Sequence, residues 1–200
     1  MIYLVTGGSG SGKSAYAEGL LSGFQNIDTR YYIATMQVYG EEGKKRVERH
    51  RKMREGKGFV TVEKTVQIGQ ALIPFEKSLE AAGYNMKKAR QCRAALVECI
   101  SNLTANEMFD ENGQRGEKQV IANVVQGLNE LSHSVRELVI VTNNVFDDGI
   151  CYDESTMAYI RALARINIEL ARIADEVIEV TAGCPVVWKK TGESLNALCW

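Results

Sequence analysis

The chain has 200 residues, 45% hydrophobic and 24% charged, which excludes a disordered or fibrous protein and suffices for one domain whose core needs no disulfides or metals. Its 24 Lys and Arg against 25 Asp and Glu leave a net charge of −1, which excludes the strongly basic domain of a dedicated nucleic-acid binder. The 5 cysteines, Cys92, Cys99, Cys151, Cys184 and Cys199, are an odd number without a CxxC pair, so a reducing, cytoplasmic setting is expected in place of a disulfide framework or zinc site.

The opening Met1-Ile2-Tyr3-Leu4-Val5-Thr6 has no basic leader or cleavage-type segment, and no apolar run approaches the roughly 18 residues that span a bilayer. A soluble protein is expected. Ile2–Thr6 is a short β-rich run and reads as the first strand. Gly7-Gly8-Ser9-Gly10-Ser11-Gly12-Lys13-Ser14 follows it directly, fits G-x-x-x-x-G-K-[ST], and leads into a helix expected over 13–21. In that setting the glycines let successive backbone N–H groups converge on phosphate oxygens, and the helix turns its positive end to the same anion. Lys13 can reach the β- and γ-phosphates, and the Ser14 hydroxyl is the expected Mg²⁺ ligand. The pattern implies a bound nucleoside triphosphate. Kinases, nucleotidyltransferases, GTPases and DNA-handling ATPases all share it.

A second strand is expected over 31–35 and a helix over 41–54. Within that helix the run Lys44-Lys45-Arg46-Val47-Glu48-Arg49-His50-Arg51-Lys52-Met53-Arg54 is strongly basic. On a helix Arg46, His50 and Arg54 share one face. Cationic neighbours disfavour imidazolium and keep a neutral nitrogen available, able to attack the α-phosphate of a nucleotide. A solvated charged helix with an incidental histidine fits the same pattern.

A helix is expected over 66–82, and 76–93, with Gly83 at its middle and charges without rhythm, reads as an insertion. The run 94–100 reads as a strand carrying Glu98. At the carboxyl edge of a parallel sheet that acid would hold a metal; equally, it would simply begin a loop. Helices follow over 119–132 and 154–174, the latter capped by Asp153, with strands over 138–142 and 177–181. The segment 190–200 reads as a loose tail beyond a single domain over 1–189. Strand–helix alternation needs crossover connections, so the expected fold is α/β: a P-loop NTPase-like, RecA-like domain with a mainly parallel sheet and helices on both faces. These residues alone leave open a small-molecule kinase or a RecA-like ATPase module.

Leu4-Val5-Thr6-Gly7-Gly8 with Ser11-Gly12-Lys13-Ser14, then Tyr32-Ile33-Ala34-Thr35 and Arg46-Val47-Glu48-Arg49-His50, resemble a known family. Thr61-Val62-Glu63, Leu96-Val97-Glu98-Cys99-Ile100, Val139-Ile140-Val141-Thr142-Asn143 and the stretch 161–180 extend the resemblance in order. The family is the bifunctional adenosylcobinamide kinases/adenosylcobinamide-phosphate guanylyltransferases of cobalamin biosynthesis. The resemblance implies phosphorylation of adenosylcobinamide by ATP or GTP with Mg²⁺. It further implies GMP transfer from GTP through a histidine, here His50, onto the new phosphate, giving adenosylcobinamide-GDP and pyrophosphate. It implies that residues 7–14 hold the phosphates, that Ile33, Ala34, Thr35, Arg51, Lys52, Met53 and Arg54 line the nucleotide, and that Glu63 and Glu98 contact its ribose or base. For Glu98 this stands beside the metal-ligand reading. A homotrimer is the implied assembly. The chain departs from the family at Gly10, where many members carry Arg, and at Asn143-Asn144, where they usually read Asn-Glu; the second difference bears on the kinase step.

Overall fold

The structure, a computed structural model, describes residues 1–37, 48, 56–111, 113–145, 150 and 152–192. In chain order the elements are β1 (Ile2–Thr6), α1 (Lys13–Gly23), β2 (Thr29–Ala34), β3 (Phe59–Glu63), α2 (Ile73–Ala81), α3 (Met86–Gln91), β4 (Arg93–Glu98) and α4 (Ile100–Met108). There follow the short hairpin β5 (Phe109–Asp110) and β6 (Gly113–Gln114), α5 (Glu117–Ser132), β7 (Glu137–Val141), α6 (Glu154–Ile173), β8 (Glu176–Thr181) and β9 (Cys184–Lys190). The main sheet runs β3-β2-β4-β7-β1-β8-β9. Every neighbouring pair is parallel except β8 and β9, which form an antiparallel hairpin at one edge. The expected α/β architecture is the one observed.

Strand alternation divides the core between the two faces of the sheet. Leu4, Tyr31, Ile33, Ala95, Val97, Leu138 and Ile140 point to one side and pack with the buried faces of α4, α5 and α6. Their chain neighbours Val5, Tyr32, Leu96, Val139 and Val141 point to the other and pack against Ala17 and Leu21 of α1. Such near-continuous apolar runs are what a parallel strand covered on both faces requires. Val120, Val124, Leu128 and Leu131 recur at helical spacing on α5, and α6 starts where the Asp153 carboxylate accepts from the Thr156 N–H at 3.0 Å.

The single helix expected over 66–82 is broken in two. Gln67 adopts a left-handed φ of 51°, a 3₁₀ turn covers Ile68–Gln70, and α2 begins anew with Pro74 in its first turn, where proline fits best. The 3₁₀ turn lies close against α5. A Cβ built on Gly69 would stand 3.2 Å from the Gly127 Cα, and one on Gly127 would stand 2.8 Å from Ile68 Cγ2. The segment 76–93 holds the later part of α2, all of α3 and the first residue of β4. Of the helix expected over 41–54, Glu48 is helical and the other positions lie outside the described residues. Among the described residues no helix is long and apolar enough to cross a membrane.

Candidate active site

The loop 7–14 leaves the carboxyl end of β1, with Gly8, Ser9 and Gly10 at its exposed tip and Lys13 buried at its base. Gly7 has no room for a side chain: a Cβ there would sit 2.5 Å from the Val180 carbonyl oxygen and 2.6 Å from Ser11 Oγ. Gly12 takes a φ of 91° immediately before α1, a conformation that L side chains rarely adopt. The loop is held at both ends by main-chain bonds. The Asn144 N–H donates to the Gly7 carbonyl at 3.2 Å, and the Gly183 N–H, from the β8–β9 turn, donates to the Ser11 carbonyl at 2.8 Å. Lys13 Nζ donates to the Gly8 carbonyl at 3.1 Å. Ser11 Oγ is buried with no hydrogen-bond partner among the described residues, which suits a loop built to receive an anion's oxygens.

Glu98 ends β4, one strand removed from β1 with β7 between them. The Ser14 hydroxyl donates to Glu98 Oε1 at 2.8 Å. The two residues singled out separately as metal ligands therefore touch. A hydroxyl and a carboxylate beside a phosphate loop are the hard oxygen donors Mg²⁺ takes, and that ion needs only one or two protein ligands when phosphates and water supply the rest. The donor set fits Mg²⁺.

The remaining strand ends fall in line. Ala34 is in register with Glu98 on one side and with Glu63 on the other, so Ala34, Thr35, Glu63 and Glu98 share the carboxyl edge with the loop. Ile33 is fully buried in the core, which leaves only its backbone facing the ladder. Thr35, also fully buried, donates its hydroxyl to the Glu98 carbonyl at 3.0 Å and the Cys99 carbonyl at 2.8 Å. His50, Arg51, Lys52, Met53 and Arg54 lie outside the described residues.

Behind this edge runs a polar network that sequence reasoning did not assemble. Asn143 Nδ2 donates to Ser101 Oγ at 2.6 Å, the Cys99 thiol lies 2.9 Å from that same oxygen, and the Tyr159 hydroxyl donates to the Ser101 carbonyl at 3.3 Å. Thr142 Oγ1 donates to Asn167 Oδ1 at 2.7 Å. These bonds tie the ends of β4 and β7 to α6. Burial pushes the Cys99 thiol up and the Tyr159 phenol up to about 12, so both stay neutral at ordinary pH. Asn106 on α4 donates to the carbonyls of Thr35, at 2.7 Å, and Thr65, at 3.0 Å. The available signal was compositional: Ser101, Thr104, Asn106 and Glu107 are all buried on one short helix, and buried polar groups need partners. Asn144, where the sequence departs from the family pattern, is exposed.

The family model for cobinamide kinase / cobinamide phosphate guanyltransferase matches residues 3–188. The bifunctional adenosylcobalamin biosynthesis protein CobU of Escherichia coli (strain K12) is 29% identical over 196 residues, covering 93% of this chain and 98% of that protein. The protein of the same name from Salmonella typhimurium (strain LT2) is 28% identical over 195 residues, with the same 93% and 98% coverage. Two relatives matched nearly end to end, a family model spanning both edges of the sheet and the phosphate loop, and the strand order that carries the loop agree: this chain belongs to the cobinamide kinase / cobinamide phosphate guanyltransferase family.

Proposed function

We propose that this chain catalyses both transfers of its family at the carboxyl edge of the sheet. In the first, the aminopropanol hydroxyl of adenosylcobinamide attacks the γ-phosphorus of ATP or GTP. The bond to the β-phosphate oxygen breaks, the nucleoside diphosphate leaves, and the hydroxyl proton is released. In the second, a ring nitrogen of His50 attacks the α-phosphorus of GTP and pyrophosphate leaves. An oxygen of adenosylcobinamide phosphate then attacks the same phosphorus, the P–N bond breaks, and adenosylcobinamide-GDP forms. The observation that carries the reading is the Ser14–Glu98 contact beside a phosphate loop shaped by Gly7 and Gly12, in a chain of this family.

The loop N–H groups and buried Lys13 bind and orient the phosphates, so that charge developing in the transferred group meets fixed dipoles. Ser14 and Glu98 would hold Mg²⁺, which when bound neutralises phosphate charge. The cations of the basic run 44–54 around His50 disfavour imidazolium and keep a neutral, nucleophilic nitrogen before attack, and Arg51, Lys52, Met53 and Arg54 line the nucleotide. The reading includes a homotrimer in the cytoplasm; the mass of the protein in solution tests the assembly.

The test is incubation with Mg²⁺ and GTP labelled at the α- or the γ-phosphate. Acid-labile, alkali-stable label from α but not γ, lost in His50→Ala, is the expected result. If α-label never attaches while GTP binds, guanylyl transfer through His50 is refuted, and γ-transfer to cobinamide alone would mark a kinase.

A further inference from the structure

We infer that Asn106 is a positioning residue for the nucleoside end of the nucleotide site, one carboxamide fixing the loops after β2 and β3 to each other; this rests on the function proposed above.

With the phosphates on residues 7–14, the nucleoside has two directions along the sheet edge. One is closed by the β8–β9 turn, whose Gly183 bonds Ser11 and whose Cα would lie 3.4 Å from a Cβ on Gly12. The other crosses the carboxyl ends of β7, β4, β2 and β3, four strand spacings or about 19 Å, which matches an extended nucleoside triphosphate. Glu98 lies near the start of that path, bonded to Ser14. Glu63 lies at its far end, exposed and in register with Ala34. A carboxylate there can accept from guanine N1–H and N2–H₂ together, an adjacent donor pair that adenine, with an acceptor at N1, lacks.

Glu63 ends the ladder beside Ala34, and past the Lys64 N–H, which donates to the Ala34 carbonyl at 2.9 Å, both loops are irregular backbone whose separation sets where Glu63 stands. Asn106 spans them. Its side chain is 9% exposed and donates to the Thr35 carbonyl and the Thr65 carbonyl. The next residue, Glu107, accepts from the Gln67 N–H at 2.6 Å and pairs with Arg115, so the last turn of α4 grips both loops. Because α4 follows directly from Glu98 through Cys99, the same segment references the base end of the site to its metal end. None of these bonds involves residues 7–14. Disturbing Asn106 therefore loosens base recognition and leaves phosphate binding intact, a separation that a purely structural role does not produce.

The experiment compares wild type with Asn106→Leu, which keeps the shape and drops both donors, for binding of GTP, ATP and inorganic tripolyphosphate with Mg²⁺. Expected is a loss of about tenfold or more in GTP affinity and in GTP-over-ATP preference, with tripolyphosphate affinity unchanged and a folded thermal transition. A variant whose GTP-to-tripolyphosphate ratio equals that of wild type overturns the inference, as does a variant that weakens all three ligands equally. Should Asn106→Leu fail to fold, hydrogen exchange on the wild type decides. Joint protection of 35–37 and 64–67 by GTP but not by tripolyphosphate supports the inference, and absence of that joint protection overturns it. A wild type that takes no α-label and does not prefer GTP overturns the functional reading, and the inference falls with it; a labelled, GTP-preferring wild type with an indifferent variant overturns the inference alone.

Discussion

Adding one methyl group at Gly7 tests whether the phosphate loop is shaped by steric necessity. The Cβ of Gly7→Ala would lie 2.5 Å from the Val180 carbonyl oxygen and 2.6 Å from Ser11 Oγ, about 1 Å inside the separation at which non-bonded atoms attract. Ser11 can rotate away. Val180 cannot, because β8 is paired with β1 on one side and with β9 on the other, Val180 itself opposite Pro185. The loop must therefore lift off the sheet edge. Overpacking of this kind destabilises by about 1–3 kcal/mol, and a loop displaced from its anion-binding shape loses about tenfold in affinity per 1.4 kcal/mol. Gly8→Ala is the matched control, since its Cβ would meet nothing within 4 Å, and a change there should stay within about 0.5 kcal/mol. Denaturant unfolding gives the stabilities and calorimetric titration with GTP and Mg²⁺ gives the affinities. Equal values for the two variants in both measurements would refute the steric argument.

Other expectations follow from the same geometry. Ser14→Ala and Glu98→Gln, alone and together, form a double-mutant cycle on Mg²⁺-dependent GTP binding, where a coupling of about 1–3 kcal/mol is expected; additive losses would mean that the two groups act apart. Leu128→Ala empties a fully buried position of the α5 face and should cost about 2–5 kcal/mol, read as a lower denaturation midpoint at unchanged slope. Burial pushes the Tyr159 phenol up to about 12 from 10.0. Its folded pKa exceeds its unfolded one, so the protonated phenol's contribution is complete below pH 10 and is lost as pH rises from 10 to 12, on the order of 2 kcal/mol. Tyr3, also pushed up to about 12 by burial, titrates in the same window. The difference between wild type and Tyr159→Phe isolates the one residue, and unfolding curves that run parallel from pH 9 to 12 would count against it.

The elements legible in the sequence are those whose signal is local. β1, β7 and β8 are apolar runs short enough to be strands, and α6 carries its own cap and stripe. α4 was hidden because Ile100 continues the apolar run of β4, and because Ser101, Asn102, Thr104 and Asn106 are poor helix formers; packing and buried hydrogen bonds override that preference. β9 carries Pro185 and exposes Val186, Val187 and Trp188, so it shows neither a buried run nor a polar face. Its edge position, with β8 as its one strand partner among the described residues, is what tolerates the proline. β3, the opposite edge, entered only as Thr61-Val62-Glu63 within the family resemblance. At the site, the loop motif was complete in eight consecutive residues. The Ser14–Glu98 contact and the Asn143–Ser101 bond join positions 84 and 42 residues apart, which local patterns do not connect. The 3₁₀ turn that replaces the start of the 66–82 helix seats Gly69 against Gly127, a backbone approach that neither glycine announces alone.

The two main-chain bonds that pin the phosphate loop, Asn144 to Gly7 and Gly183 to Ser11, have a thermodynamic consequence. Ordering a free backbone costs roughly 1–2 kcal/mol per residue, a charge that a floppy glycine-rich loop would meet each time a ligand arrived. Here folding of the sheet edge has already met it, so the loop is preorganised and binding energy goes into affinity and alignment. The entropy of anion capture at this loop would thereby be set in part by the β8–β9 hairpin, through one main-chain bond to Ser11.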